Sequence, residues 1–394
     1  MTDHTLSQTL PRKRVLTGAA VRRFLGFAHL WVGLICGLPF VALGITGSVL
    51  MLGHNLPIMT MTHGNTANVG AIVDAAASAA PEGARVTGVD LPAMHGDPAV
   101  VRFALPRNGE PAAFAPGPTG NLRVLVDPMT LSTSPDTAQR AGGFMRIAHD
   151  LHGRMLIAGP TGRSIVGWLG VLMTCLGLSG IVPWWPKPSQ WRSAFTFRFG
   201  RLGLKFNRDL HGAVGIWGLI VFLIVSFSGV YIAFPQTLND AFGAGRAVRD
   251  ARGNQPVAKV TPIDGETELD IDGVVALART EVSDGLLRSV LAPLAPDQPY
   301  RVALVRNGDG SNAPRVTVFV DPWAKRVTEV RDPKSYSAAD TFLTWQRPLH
   351  TGLGLGWIWW SLVFLSGFLP LMFFITGFCM WLIKRRNKRR VMAV

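Results

Sequence analysis

The sequence is poor in charged residues and in cysteine. Asp, Glu, Lys and Arg together make up 16% of the 394 residues, whereas hydrophobic residues make up 48%. So little charge cannot cover the surfaces of the two or three soluble domains that the length would allow. The three cysteines, Cys36, Cys175 and Cys379, lie in apolar runs without CxxC spacing, so we expect small buried hydrophobic residues and no disulfides.

Several motifs of soluble enzymes are also missing. The chain has no HExxH motif and no closely spaced Cys/His set, which argues against a zinc site. It has no P-loop and no GxGxxG after a strand, so no nucleotide or flavin domain is expected. Electrons for a redox reaction would then come from another protein or from quinol.

Four apolar runs are each long enough to cross a bilayer as a helix, which takes roughly 20 residues. The first run is too long for the apolar part of a signal peptide and lacks a small-x-small cleavage site, so we expect it to be retained. The runs are Leu25–Leu52, Ser164–Trp185, Leu210–Phe234 and Trp357–Ile383.

Basic residues are concentrated in the short segments outside these runs. Five Lys or Arg residues precede the first run, six lie between Lys187 and Arg208, and six lie between Lys384 and Arg390, against only two acidic residues. The two long connections carry 22 basic and 23 acidic residues. Short Lys/Arg-rich segments mark the cytoplasmic side of a membrane protein. Both termini are therefore predicted inside and both long connections outside, and the formal charge of +14 does not indicate nucleic-acid binding.

The two halves of the chain share a pattern of residues. Each half opens with a histidine that is followed by a glycine at +4 and by a Ser/Thr-Gly pair at +17 and +18. The residues are His29, Gly33 and Thr46-Gly47 in the first half, and His211, Gly215 and Ser228-Gly229 in the second. Each connection carries Arg-Asn-Gly and Val-Asp-Pro, at 107–109 and 126–128 and again at 306–308 and 320–322, and each half closes with Gly-x-x-x-Trp-x-x-Lys, at 180–187 and 377–384. A unit of helix, external domain and helix is therefore predicted twice, in parallel orientation.

The predicted fold is a mainly α membrane protein with a four-helix transmembrane bundle made from two parallel repeats. Each repeat also carries one small α+β domain on the external side. The predicted segments are a cytoplasmic N-terminus at 1–24, helix 1 at 25–52, external domain 1 at 53–148, a short interfacial helix at 149–163, helix 2 at 164–185, a basic cytoplasmic loop at 186–209, helix 3 at 210–234, external domain 2 at 235–347, an interfacial segment at 348–356, helix 4 at 357–383 and a basic cytoplasmic tail at 384–394.

Four of the nine histidines occupy matched positions in the two halves. His29 and His211 begin outward-running helices, and His152 and His350 precede inward-running helices. An ionisable side chain at membrane depth is a functional candidate, whereas a single histidine near a helix end is usually an interfacial residue. Two histidines that face each other across a bundle are suitable axial ligands for one haem iron. We therefore expect one haem held by His29 and His211 at the cytoplasmic side, and one held by His152 and His350 at the outer side.

Glycines at matched positions accompany the histidines of the first and third helices. Residues four apart share a helix face, and eighteen residues make five turns. Gly33 and Gly47 are therefore predicted below His29, with Gly215 and Gly229 as their counterparts, where they leave room for a porphyrin. Close packing of helices in the membrane explains single glycines equally well.

Two further residues are candidates near the outer pair. His149 lies one turn before His152 and is the alternative outer ligand, although it faces an arginine in the second half. Arg163 is a candidate either for neutralising a haem propionate or for contacting lipid headgroups. The other histidines have no counterpart in the opposite half and are predicted in solvated positions; they are His4, His54, His63 and His95.

Several motifs of the chain together are similar to those of one family of membrane proteins. They are Phe27-Ala28-His29-Leu30-Trp31-x-Gly33, the two Val-Asp-Pro turns, Leu210-His211, Leu349-His350-Thr351-Gly352 and the Gly-x-x-x-Trp endings. In these motifs the chain resembles the PepSY-associated transmembrane family of bacterial inner-membrane proteins. Members that resemble ferrioxamine-type siderophore reductases bind two b-type haems between four helices and pass electrons to ferric siderophores in the periplasm. The resemblance implies two haem b groups, PepSY-like periplasmic domains and a ferric siderophore as substrate.

Two other functions fit the same sequence features. A quinol-linked cytochrome b subunit that reduces a periplasmic protein partner would have the same spectrum but a different electron acceptor. A haem-free regulatory protein whose PepSY-like domains bind peptides would be colourless when purified.

Overall fold

The computed structural model describes residues 18–52, 68–92, 97–106, 121–135, 143–197, 203–243, 245, 259–306, 314–353 and 355–392. His4, His54, His63, His95 and the motif at 107–109 lie outside the described residues. The chain forms two compact units. The first contains Met1–Val41, Leu172–Leu223 and Leu369–Val394, and the second contains Ala42–Val171 and Ile224–Phe368.

Helices account for all four apolar runs. The α-helices of the described residues are α1 (Gly18–Ile35), α2 (Gly37–Leu52), α3 (Val69–Ser78), α4 (Gly143–Arg154), α5 (Gly159–Trp184), α6 (Trp191–Ala194), α7 (Leu204–Ala233), α8 (Pro235–Ala241), α9 (Ile271–Glu281), α10 (Ala338–Thr351), α11 (Gly356–Ser366) and α12 (Leu369–Val391).

Three helical stretches are long and apolar enough to cross a membrane, which makes the chain a membrane protein. They are α5, α7 and the stretch Gly356–Val391, which contains α11 and α12. A fourth span results if α1 and α2 cross together, but these helices are bent by 64°. The expectation of one continuous helix over 25–52 is therefore wrong. The break follows from Pro39, because a proline has no N–H to donate to the carbonyl four residues earlier and its ring clashes with that carbonyl.

Two shorter helices carry His152 and His350, and each helix precedes a candidate span. α4 contains His152, and the backbone after it turns through positive φ at Met155 and Leu156 before α5 begins. α10 contains His350; its first turn is capped by the Ser337 side chain, and it ends at Gly352 in the left-handed conformation. Both histidines thus lie in the last turn of a helix that precedes a span.

The two long connections form one antiparallel sheet. Its strands are β1 (Arg85–Asp90), β2 (Ala99–Ala104), β3 (Asn121–Val126), β4 (Thr133–Pro135), β5 (Gly285–Leu291), β6 (Tyr300–Arg306), β7 (Val316–Asp321) and β8 (Arg326–Arg331). The order across the sheet is β4-β3-β2-β1-β5-β6-β7-β8. β1 pairs with β5 in antiparallel register, so that Val89 lies opposite Val290.

A single hydrophobic core lies on one face of this sheet. It contains alternate strand residues of both connections and apolar residues of α3 and α9, which pack against the strands. The two helices are also joined directly, because the Gly70 N–H donates to Asp272 Oδ1 at 3.0 Å. The expectation of two separate small domains is therefore wrong: β1 and β5 pair with each other, and both connections share one sheet and one core.

The Val-Asp-Pro motifs form equivalent turns after β3 and β7. Asp127 Oδ1 accepts hydrogen bonds from the N–H groups of Met129 and Thr130, at 2.8 and 3.1 Å. Asp321 Oδ1 accepts from the N–H groups two and three residues on, at 3.0 and 3.1 Å. An aspartate is favoured there because its side chain satisfies the backbone donors of the turn.

Candidate functional site

His29 on α1 and His211 on α7 face each other in the first unit. Their ring centres are 6.3 Å apart, and their ring planes are inclined by 71°. The ring of Phe373, on α12, lies 4.9 Å from that of His211. The structure therefore brings together the first pair of predicted ligands.

The Nδ1 atoms of this pair are bound by hydroxyl groups of other helices. Nδ1 of His29 lies 3.2 Å from Ser179 Oγ on α5, and Nδ1 of His211 lies 2.7 Å from Thr376 Oγ1 on α12. Each hydroxyl donates its own proton to a carbonyl one turn earlier in its helix, at 3.2 and 2.8 Å. In this arrangement the hydroxyl oxygen is the acceptor for an Nδ1–H of the imidazole, and a ring with its proton there has its unshared electron pair on Nε2.

A cavity of about 1750 Å³ lies beside this pair. Both imidazoles line it, and so do Gly33 and Gly215, two of the predicted site residues. Its lining contains many basic side chains against the single carboxylate of Asp209. The basic residues are Arg22, Lys187, Arg192, Lys205, Arg208, Lys384, Arg385 and Lys388. The electrostatic potential in the cavity is therefore positive and favours anionic groups.

His152 on α4 and His350 on α10 form a second pair, in the second unit. Their ring centres are 5.9 Å apart, and their ring planes are inclined by 46°. Nδ1 of His152 donates to the Leu43 carbonyl at 2.9 Å, and Nδ1 of His350 donates to the Val225 carbonyl at 3.0 Å. Because a carbonyl can only accept, both Nδ1 atoms carry the proton and both Nε2 atoms carry the unshared pair.

Hydroxyl groups and burial complete the surroundings of the second pair. Thr46 Oγ1 lies 3.3 Å from Nδ1 of His152, and Ser228 Oγ lies 3.1 Å from Nδ1 of His350. Burial lowers the pKa of His350 to about 4, and repulsion from His152 adds to this effect. Burial also lowers the pKa of His152. Both rings are therefore neutral at neutral pH, which is the form of imidazole that binds metals.

Three glycines allow three of the imidazoles to approach the neighbouring helix. A Cβ atom at Gly180 would lie 3.1 Å from Cε1 of His29. A Cβ at Gly47 would lie 3.0 Å from His152, and a Cβ at Gly229 would lie 3.2 Å from Cε1 of His350. Gly47 and Gly229, which were expected below His29 and His211, pack against the second pair, because each contacts a histidine on another helix.

Each of the four imidazoles lies within hydrogen-bond distance of a Ser or Thr hydroxyl that belongs to a Ser/Thr-Gly dipeptide of another helix. The dipeptides are Ser179-Gly180 for His29, Thr376-Gly377 for His211, Thr46-Gly47 for His152 and Ser228-Gly229 for His350. The matched sequence motifs contain Thr46-Gly47 and Ser228-Gly229, together with Gly180 and Gly377. Ser179 and Thr376 were missed. The repeated Ser/Thr-Gly sequence was the signal that identifies them.

Two of the predicted residues lie away from a direct contact with a paired imidazole. His149 is 75% exposed, and its Nδ1 lies 3.6 Å from Asp150 Oδ1, so the structure brings His152 and not His149 to His350. Arg163 donates to the Ile232 carbonyl near the end of α7, at 2.5 Å. A contact of Arg163 with a propionate therefore stays a prediction.

The spacing of the imidazoles fits an ion bound between them. With about 2.0–2.1 Å for a metal–imidazole bond and about 1.1 Å from ring nitrogen to ring centre, two imidazoles on one ion have centres about 6.3 Å apart. The observed distances are 6.3 and 5.9 Å. Histidines that bind metals normally donate the other ring N–H to an acceptor, as all four do here. No three His, Cys, Asp or Glu side chains of the described residues are close enough to hold an ion together.

The family of the chain is shown by its sequence over nearly its whole length. No curated protein sequence matches it. Residues 27–384 match the family of the PepSY-associated TM region, a stretch that contains both histidine pairs and the sheet. The chain therefore belongs to the PepSY-associated transmembrane family.

Proposed function

We propose that this protein is a di-haem b oxidoreductase of the bacterial inner membrane. It passes electrons from the cytoplasmic side to a ferric siderophore in the periplasm and reduces Fe(III) to Fe(II). The observation that carries the proposal is the presence of two histidine pairs with ring centres 6.3 and 5.9 Å apart. Family membership and the candidate spans are consistent with a transmembrane oxidoreductase.

The four histidines are the proposed haem ligands. His29 and His211 would hold one haem, and His152 and His350 would hold the other. The haem groups, when bound, supply reversible one-electron transfer at iron. The acceptors at Nδ1 keep each ring in the Nδ1–H tautomer and at a fixed orientation. A fixed ring geometry favours electron transfer, because less of the site rearranges when the charge changes.

The positive charge around the first pair supports a position of this pair at the cytoplasmic side of the proposed four-helix bundle. The eight basic residues of the cavity come from the segments that the Lys/Arg distribution predicts to be inside. They also complement the negative charge of haem propionates. The second pair then belongs to the periplasmic side, in the unit that contains the sheet.

The substrate is proposed from the chemistry of iron release. A siderophore holds Fe(III) through hard oxygen ligands, which bind Fe(II) more weakly. One electron from the protein converts the bound Fe(III) to Fe(II), and the intact chelator is released. The donor at the cytoplasmic side is an unidentified protein or quinol.

The function is tested first by the absorption spectrum and then by electron transfer. Detergent-purified protein is expected to contain about two haems per chain with six-coordinate spectra. When the dithionite-reduced protein is mixed anaerobically with excess ferric ferrioxamine B, each haem should be oxidised and release one Fe(II), which a ferrous chelator detects. The gallium(III) complex has the same shape but accepts no electron, so it is the matched control.

Other outcomes of this experiment separate the competing functions. A colourless protein would contradict the haem proposal and would leave peptide binding as the alternative. Haem that is reduced by quinol but is not oxidised by ferric chelates would contradict the choice of substrate and would favour a protein acceptor.

The glycines beside the imidazoles give a further prediction. We expect Gly47→Ala and Gly229→Ala to weaken haem binding at the second pair, because the added Cβ lies only 3.0 and 3.2 Å from the rings. The loss should be smaller than the roughly 10–100-fold that follows removal of a hydrogen-bond partner of a ligand. Gly143→Ala is the control, since no atom lies within 4 Å of a Cβ at that position and Gly143 does not line the cavity. Equal haem titration curves for all three variants would contradict the role of Gly47 and Gly229.

A further inference from the structure

We infer that Thr376 is a positioning residue that holds the imidazole of His211 in the tautomer needed for binding iron through Nε2, an inference that rests on the proposed function. Thr376 does not touch the proposed haem iron and acts through His211. The corresponding hydroxyls of the other three histidines, on Ser179, Thr46 and Ser228, are dispensable for the same purpose.

The orientation of the Thr376 hydroxyl supports this role. Thr376 is only 3% exposed, and its hydroxyl lies 2.7 Å from Nδ1 of His211 while it donates to the Met372 carbonyl at 2.8 Å. With its one proton used in this way, the Thr376 oxygen can only accept from His211. Ser179 lies between Nδ1 of His29 and a carbonyl of its own helix, but the Leu176 carbonyl also accepts a hydrogen bond from His29. In the described structure, the Thr376 oxygen is the hydrogen-bond acceptor that faces Nδ1 of His211.

The second pair has an additional acceptor that no side-chain substitution removes. The carbonyls of Leu43 and Val225 accept from the Nδ1–H groups of His152 and His350, at 2.9 and 3.0 Å. These distances are shorter than those to the nearby hydroxyls, which are 3.3 and 3.1 Å. The backbone therefore fixes the tautomer of the second pair even when Thr46 or Ser228 loses its hydroxyl.

Removal of the Thr376 hydroxyl should therefore have a larger effect than removal of the hydroxyl beside any of the other three histidines. Without an acceptor at Nδ1, the proton of His211 moves freely between the two ring nitrogens, and the ring loses its fixed orientation. An imidazole that does not donate from Nδ1 is also a weaker electron donor to iron, which stabilises the ferrous state and raises the reduction potential.

The experiment compares Thr376→Val with Ser179→Ala, Thr46→Val and Ser228→Ala in the full-length purified protein. Thr376→Val should bind the haem of the first pair roughly 10–100-fold more weakly, and the reduction potential of that haem should rise. The other three variants should keep both haem affinities within a factor of about three and both reduction potentials at the wild-type values. Thr376→Ser restores the hydroxyl and should restore the wild-type values, which a purely structural effect of the lost methyl group would not do.

Two results would overturn the inference. One is an unchanged potential and affinity in Thr376→Val; the other is an equal loss in all four hydroxyl variants. A separate measurement does not need haem: ¹⁵N NMR of histidine-labelled apoprotein should show protonated Nδ1 for His29 and His211, and protonated Nε2 would contradict the inference. A protein that binds no haem but shows this tautomer would refute the proposed function without refuting the hydrogen bonding.

Discussion

Replacing His211 with Ala is expected to lower the haem content from about two per chain to about one. His211 supplies one of two imidazoles whose ring centres are 6.3 Å apart, and we expect the haem of this pair to be lost during purification when only one imidazole is left to hold it. The second pair has its own acceptors within the other unit, so its haem should remain. Haem per chain, measured as the pyridine complex against protein concentration, gives the result directly. His350→Ala should remove the other haem in the same way.

A third variant, His149→Ala, is the control for the two single variants, and a fourth variant combines their two substitutions. His149→Ala removes an exposed imidazole that lies outside the pair, and it should keep both haems. The double variant His211→Ala with His350→Ala should be colourless but should still elute as a folded protein in detergent. Full haem content in both single variants would show that the axial ligands are other residues.

The matched histidines were predictable because duplication leaves a trace that a single sequence reveals. One histidine near a helix end carries little information, but His29 and His211 share offsets to glycine, and His152 and His350 precede the glycine of the closing motif by 28 and 27 residues. The structure places the two histidines of each predicted pair together, with ring centres 6.3 and 5.9 Å apart. The choice between His149 and His152 was left open by the sequence, since both lie near the end of the same short helix.

The partners of the histidines were not predictable in the same way. Helical periodicity relates residues along one helix, and it says nothing about which helix packs beside it. Gly47 follows His29 by five ideal turns, yet it packs against His152, and the helix that was expected to join Gly47 to His29 is broken before Pro39. Ser179 and Thr376 were missed for the same reason, because their meaning depends on contacts between helices.

The shared sheet was also hidden from the sequence. Apolar residues alternate with polar ones in both connections, at Val100–Phe103 and Arg315–Val320; this pattern favours strands, and strands form there. A strand at the edge of a sheet has unpaired backbone groups that pair with any suitable second edge. Residue alternation does not specify that partner, so the pairing of β1 with β5 followed from the structure alone.

Val290→Asp is expected to unfold the whole sheet and not only its second half. Val290 is 0% exposed and lies opposite Val89, also 0% exposed, at the junction of the two connections. A carboxylate without a partner in this core should lower the free energy of unfolding of the sheet by about 3–5 kcal/mol. Because the core is continuous across β1 and β5, trypsin should cleave at Arg102 and Arg123 at the same urea concentration at which it cleaves β5 to β8. Mass spectrometry of the fragments across a urea series identifies the cleaved strands.

Val330→Asp is the matched control for this substitution. Val330 lies on the edge strand β8 and is 39% exposed, so a carboxylate there remains solvated and should leave the urea dependence unchanged. Independent domains would give a different result for Val290→Asp, with cleavage in β5 to β8 at low urea and no change in β1 to β4. Cleavage of all eight strands at the same urea concentration requires instead that the pairing of β1 with β5 contributes as much to stability as the pairings within each half. The reason is that unfolding of β5 would leave β1 as an unpaired edge strand and would remove part of the hydrophobic core beneath it.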